Sequence, residues 1–230
     1  MLEREAYLLA GPTASGKSSI AAELAREMGA MILSADSMLV YKGMDIGTAK
    51  PPASEIEEFC MGGVDIVTPA EEFSSGAWLR AAAVWAAEVP EDVPVIIVGG
   101  TGLYFSALLR GLDRKWENPP PEYPVVKIDR ALVRERIGAR LDDMFMAGLE
   151  EEKRRLHRLY PVWSRTASLA IGYREGDDRD RIFTRTCQLA KRQDTWFRHQ
   201  ASAIYVEPTV DSVRRCWAER GPWFVRFPEA

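Results

Sequence analysis

The chain has little cysteine, almost no histidine and no long apolar run, and each shortage removes a class of function. Its 230 residues include 3 cysteines and 2 histidines. Cys60, Cys187 and Cys216 are odd in number and far apart, which suits reduced thiols better than a disulfide framework. With so few imidazoles beside them, a zinc site lacks its donor set. The most apolar stretch, Ala77 to Val89, is interrupted by Arg80 and Glu88 and falls short of a bilayer span. The opening residues MLEREAYLLAG are acidic and run into an apolar segment, without the basic-then-apolar layout of a signal peptide. A cytoplasmic monomer with no membrane partner is the expectation. Net charge is also small, −4, but uneven: Lys127 to Arg198 holds 17 basic against 12 acidic residues, and the remainder 13 against 22. That excess permits an RNA partner without arguing for one.

What is present is an α/β pattern. With 47% hydrophobic and 28% charged residues, the chain can bury a full core and suits one α/β domain with an appendage. Ala6 to Ala10 reads as a strand, followed by a Gly-rich turn and then Ser18 to Met28, where Ile20, Ala21, Leu24 and Met28 fall at helical spacing. Ala30 to Leu33 and Val93 to Val98 read as further strands. Continuous apolar runs between helical segments predict a parallel sheet buried on both faces. The expected fold is thus a P-loop nucleoside-triphosphate-hydrolase-like parallel sheet flanked by helices, with a largely helical C-terminal half. Asn118 to Pro124 (NPPPEYP) is the clearest break, since consecutive prolines suit neither a helix nor a central strand. The expected organisation is a P-loop core over 1–112, a connector over 113–127 and a helical region over 128–230. Between Leu132 and Leu159, the residues Ile137, Leu141, Met144, Phe145 and Leu149 form one core-facing stripe on a charged helix.

Gly11 to Ser18 matches G-x-x-x-x-G-K-S in its proper setting, after a strand and before a helix. Gly11 and Gly16, at either end of Pro12, Thr13, Ala14 and Ser15, let the backbone turn so that successive amides face inward, Lys17 supplies a cation, and Ser18 can hold Mg²⁺. A diphosphate or triphosphate fits there. Asp36, just past the second strand, belongs at the carboxyl edge of the sheet, where it can accept a proton or hold Mg²⁺ through water, an N-cap being the competing reading. The third strand ends in Gly99, Gly100 and Thr101 instead of the aspartate of most P-loop hydrolases, which weakens an ATPase reading. Thr101 offers a hydroxyl at the same edge.

Five ordered blocks carry a resemblance: GPTASGKSS at Gly11 to Ser19, SADSMLVYKGMDIGTAKP at Ser34 to Pro51, VGGTGLY at Val98 to Tyr104, IGYRE at Ile171 to Glu175, and AKRQDTWFR at Ala190 to Arg198. Together they resemble the tRNA dimethylallyltransferase family, also called tRNA isopentenyltransferases. The resemblance implies that Gly11 to Ser18 hold the diphosphate of dimethylallyl diphosphate, that Asp36 is the general base, and that Thr101 contacts the reacting amine or the departing oxygen. It implies a diphosphate contact from Arg136 or Arg140, without distinguishing them. Asp36, Ser37, Met38, Leu39 and Thr101 fall where the family contacts the target adenosine beside the anticodon, and Lys191, Arg192 and Gln193 where it meets tRNA.

The chain also departs from the family pattern. Only GLDRKWENPPPEYP stands where members carry a helical insertion that grips the anticodon stem, and Cys187 stands where an arginine is usual after threonine. The missing insertion favours an adenylate isopentenyltransferase acting on free AMP; DSMLVYKGMDIGTAKP and AKRQDTWFR favour the tRNA branch. A P-loop small-molecule kinase is the reading from another class, with Arg134 to Arg140 as its lid.

Overall fold

The computed structural model of the protein describes residues 2–112, 122–200 and 202–228. Apolar runs become strands that stack in parallel. In chain order the elements are β1 (Leu2–Ala10), α1 (Lys17–Met28), β2 (Met31–Ser34), α2 (Ala53–Glu58), α3 (Ser75–Glu88), β3 (Val95–Gly99), α4 (Gly102–Arg110), β4 (Tyr123–Val126), α5 (Arg130–Met146), α6 (Leu149–Leu159), α7 (Arg179–Gln200), β5 (Ala203–Val206), α8 (Val210–Arg220) and β6 (Trp223–Phe227). The order across the parallel sheet is β2-β3-β1-β4-β5, and β6 pairs antiparallel with the first half of β1. All five residues of β3 are buried, as a strand covered on both faces requires. The expected α/β class, with helices flanking a parallel sheet, is what forms. No helix among the described residues is long and apolar enough to cross a membrane.

Two tryptophans tie the helices to the strands they cover. Fully buried Trp78 of α3 donates from Nε1 to the Ser34 carbonyl at 3.0 Å and stacks on Tyr104 of α4. Trp217 of α8 donates to the Leu8 carbonyl at 2.9 Å. Each indole buries a large apolar area while satisfying its one polar atom.

The C-terminal half is largely helical, as expected, and β4, β5 and β6 within it add to the sheet from short runs that fall among proline and polar residues, which mask a period-two signal. Two expectations need correction. Pro124, expected in a break, lies inside β4, opposite Ile204 of β5. Tyr123 and Lys127 on either side donate their amides toward β5, so the missing N–H of Pro124 faces β1, whose pairing with β4 is the Ala10–Val125 contact. Residues 113–121 of the expected connector lie outside the described residues. The single stripe from Leu132 to Leu159 is divided between α5 and α6 by Gly148, which sits at φ 95°, a backbone state costly for other residues. Ile137, Leu141 and Leu149 are buried, whereas Met144 and Phe145 are half-buried.

Candidate active site

The loop between β1 and α1 is shaped to receive an anion. Ala14 at φ 61° and Gly16 at φ 87° are both left-handed, which turns the backbone amides inward above the start of α1. Lys17 is buried, with Nζ donating to the Pro12 carbonyl at 3.2 Å. Burial pushes its ammonium down to about 8; nearby Asp36 opposes that shift and Arg140 reinforces it. A cation held this reluctantly is one that an incoming phosphate would stabilise.

The carboxyl ends of β2 and β3 meet beside this loop. The Thr101 amide donates to the Ala35 carbonyl at 3.1 Å, and a Cβ on Gly99 would lie 2.1 Å from that same oxygen, so the approach of the two strand ends needs glycine there. Thr101 Oγ1 accepts from the Ser37 amide at 2.9 Å and lies 3.2 Å from Ser37 Oγ. Asp36 Oδ1 accepts from the Met38 amide at 2.9 Å, which fixes the carboxylate of a residue that lines two cavities.

Helices from the second half close over this edge. On α5, Arg136 Nη1 approaches the Ala14 carbonyl and Arg140 Nη1 the Thr13 hydroxyl, each at 3.4 Å. One turn of helix, about 6 Å along the axis, separates them. Arg140 is the one of the two that lines the cavity of Lys17 and Ser18, and burial lowers its proton affinity while Asp36 raises it. On α7, Gln193 spans two loops: its Oε1 accepts from the Thr13 amide at 2.8 Å and its Nε2 donates to the Gly100 carbonyl at 3.0 Å.

Two cavities result. One, of about 580 Å³, is lined by Gly16, Lys17, Ser18, Asp36 and Arg140. The other, of about 540 Å³, is lined by Asp36, Ser37, Met38, Thr101, Arg140 and Trp196, with Arg174, Arg185 and Arg192 among its basic residues. Asp36 and Arg140 belong to both walls, along with Thr13, Thr48 and Ala49. A reaction at Asp36 can therefore draw a phosphate ester from one side and a nucleophile from the other.

The structure distributes the expected residues between these spaces. Ser37, Met38, Thr101, Arg192 and Gln193 line the second cavity, Leu39 lines the phosphate-loop cavity, and Lys191 lines a separate 300 Å³ pocket between α5 and α7. Both polar atoms of Gln193 are engaged within the protein. Ser18 is exposed at the phosphate-loop cavity.

Sequence reasoning missed Glu152. Buried on α6, it accepts from the amides of Asp45, Ile46 and Gly47 at 2.9 to 3.2 Å and from the Tyr173 hydroxyl at 2.5 Å. Burial, then Glu152, raises the Tyr173 hydroxyl, which stays a donor. This grip shapes the segment leading to Thr48 and Ala49, the wall common to both cavities. Glu150, Glu151 and Glu152 are indistinguishable by composition; only their helical phase, with Leu149 and Leu156 buried, picks out the inward one.

An "IPP transferase" family model matches residues 39–126 and 116–200, and an "Isopentenyl transferase" model matches residues 4–60. A tRNA dimethylallyltransferase of Thioalkalivibrio sulfidiphilus is 33% identical, covering 84% of this chain and 87% of its own. One of Bdellovibrio bacteriovorus is 30% identical, covering 86% and 91%. The first alignment runs over 279 positions, more than the 230 residues here, so that relative carries segments with no counterpart in this chain. Among solved structures, the full-length tRNA isopentenylpyrophosphate transferase of Bacillus halodurans superposes with a TM-score of 0.79 at 23% identity, covering 94% of this chain and 96% of that one. A eukaryotic dimethylallyltransferase acting on tRNA superposes with a TM-score of 0.75 at 20% identity, covering 95% and 76%. These two likenesses speak for the fold.

Proposed function

Because the chain belongs to the IPP transferase family, we propose that it is a tRNA dimethylallyltransferase, moving a dimethylallyl group from dimethylallyl diphosphate to the exocyclic amine of the adenosine next to the anticodon. The observation that carries this reading is the wall shared by the two cavities, where Asp36 stands between a phosphate loop and a space rimmed by arginines.

The diphosphate rests in the loop from Gly11 to Ser18, on amides such as those of Gly16, Lys17 and Ser18, with the Lys17 and Arg140 side chains alongside, and its allylic carbon points past Asp36. The adenosine enters the other cavity flipped out of its stack, against Ser37, Met38 and Thr101. The amine nitrogen bonds to the allylic carbon as the carbon–oxygen bond to diphosphate breaks, and the amine proton passes to Asp36. Charge developing on the departing diphosphate falls on the loop amides, Lys17 and Arg140, already in place. The exposed Ser18 hydroxyl and the Asp36 carboxylate line one cavity and are hard oxygen donors of the kind Mg²⁺ takes. Mg²⁺ bound there, by Ser18 directly and Asp36 through water, would neutralise diphosphate charge. In this reading residues 1–112 supply the loop, base and edge, β4 joins the sheet beside β1, and residues 128–230 close the site in.

The test is incubation with dimethylallyl diphosphate, Mg²⁺ and unmodified tRNA, followed by mass spectrometry of the digested RNA. One prenyl group on an adenosine is expected. Prenylated AMP in a parallel incubation, with tRNA untouched, would overturn the acceptor assignment while leaving prenyl transfer intact.

A further inference from the structure

Glu175 is a fully buried carboxylate with an unfinished set of partners. Its Oε2 accepts from the Gly172 amide at 2.9 Å, but Oε1, equally buried, makes no hydrogen bond. That oxygen faces two guanidiniums, with Arg174 Nε at 3.5 Å and Arg185 Nε at 3.4 Å. These distances suit charge attraction and are long for hydrogen bonds. The arginine side chains are 37% and 28% exposed, while the carboxylate is 0% exposed.

Geometry gives the trio a direction. Both arginines meet Glu175 through Nε, and among the described residues their terminal nitrogens donate to no protein acceptor. Both line the 540 Å³ cavity. On α7, Arg185, Leu189, Arg192 and Trp196 follow one another at three- or four-residue intervals and line that cavity as one stripe. Cys187, about 200° round the helix from Arg185, faces the 300 Å³ pocket instead. Two guanidiniums side by side repel; one buried carboxylate between them lowers that cost and leaves a single net positive charge at the cavity. An anion bridging the free edges would complete the arrangement, and a tetrahedral phosphate matches paired forks of N–H donors.

We propose that Glu175 is a positioning residue, holding Arg174 and Arg185 as a two-guanidinium fork that receives one phosphate of the acceptor RNA backbone. Neither arginine lines the cavity of Lys17 and Ser18, so the phosphate is the acceptor's and not the donor's. The inference rests on the reading of the second cavity as the acceptor site.

The test uses Glu175→Gln, Arg185→Gln and the double variant, with steady-state kinetics and donor-free filter binding of unmodified tRNA. E175Q should raise the KM and Kd for tRNA about tenfold, the scale of one charge-assisted contact. Its kcat at saturating tRNA and its KM for dimethylallyl diphosphate should stay within about twofold. The double variant should bind tRNA no worse than R185Q, because both remove the same fork. R185Q alters a partly exposed side chain, so it reports on the fork even if E175Q folds poorly. Equal loss of kcat and both KM values would assign Glu175 a merely structural role and overturn the proposal, as would unchanged acceptor affinity in E175Q and R185Q. If the wild type prenylates only AMP, the tRNA reading fails separately; a raised KM for AMP in both variants would then keep the fork, with the nucleotide's own phosphate as its ligand.

Discussion

Replacing Lys17 by Met tests the electrostatics of the phosphate loop without any substrate. Burial lowers the Lys17 ammonium from 10.5 to about 8 in the folded chain. Below pH 8 both folded and unfolded chains carry this proton, and folding bears the cost of burying a charge. Between 8 and 10.5 the unfolded chain holds the proton and the folded chain has released it. The unfolded state then binds more protons, so stability rises with pH across that window. The gap corresponds to a gain on the order of 3 kcal/mol, complete above 10.5. Urea unfolding of wild type and Lys17→Met from pH 6.5 to 11 isolates this term, because other groups cancel in the difference. The wild type should gain on the variant as pH climbs from 8 to 10.5. A difference flat within about 0.5 kcal/mol would show that Lys17 titrates as if exposed and would refute the account of the loop. Diphosphate should bind more weakly above pH 8, since the bound anion needs the proton that the loop has lost.

Two further outcomes follow from the geometry around the shared wall. Asp36→Asn should slow single-turnover prenyl transfer by about 10²- to 10⁴-fold while calorimetry at neutral pH still detects diphosphate binding; turnover like wild type would remove Asp36 as base. Glu152→Gln places an amide N–H₂ against backbone donors and the Tyr173 hydroxyl, so denaturant unfolding should show a loss of about 2 to 4 kcal/mol, and a loss below about 0.5 would mean the grip on residues 45–47 contributes little.

The phosphate loop, Asp36 and Thr101 could be read from the sequence because each sits at a strand end, and strand ends were marked by apolar runs stopping at Gly or Ser. Local chemistry and local geometry coincide there. Arg136 and Arg140 could not be separated, since both lie on the same side of α5 and only the height of the loop along the helix decides between them. Glu152 was invisible for a different reason, since it belongs to a charged segment that looks solvated and is buried by contacts with residues 45–47, far away in sequence. Glu175 falls inside the IGYRE block, but its contact with Arg185 of α7 is supplied only by the tertiary fold. The strands β4 to β6 were missed because edge and proline-bearing strands carry weak alternation, while the sheet partners that make them strands are supplied by the tertiary fold.

Gln193 links the loop at Thr13, 180 residues before it in sequence, to the turn at Gly100. On a ribosome the glycine-rich loop is made well before its brace, and β6, which pairs with β1, comes later still. The anion site is therefore completed by a segment synthesised long after its own loop. A nascent chain stalled before α7 would carry the whole motif without the crossbeam that holds it, so the braced form of the loop records that α7 has been made.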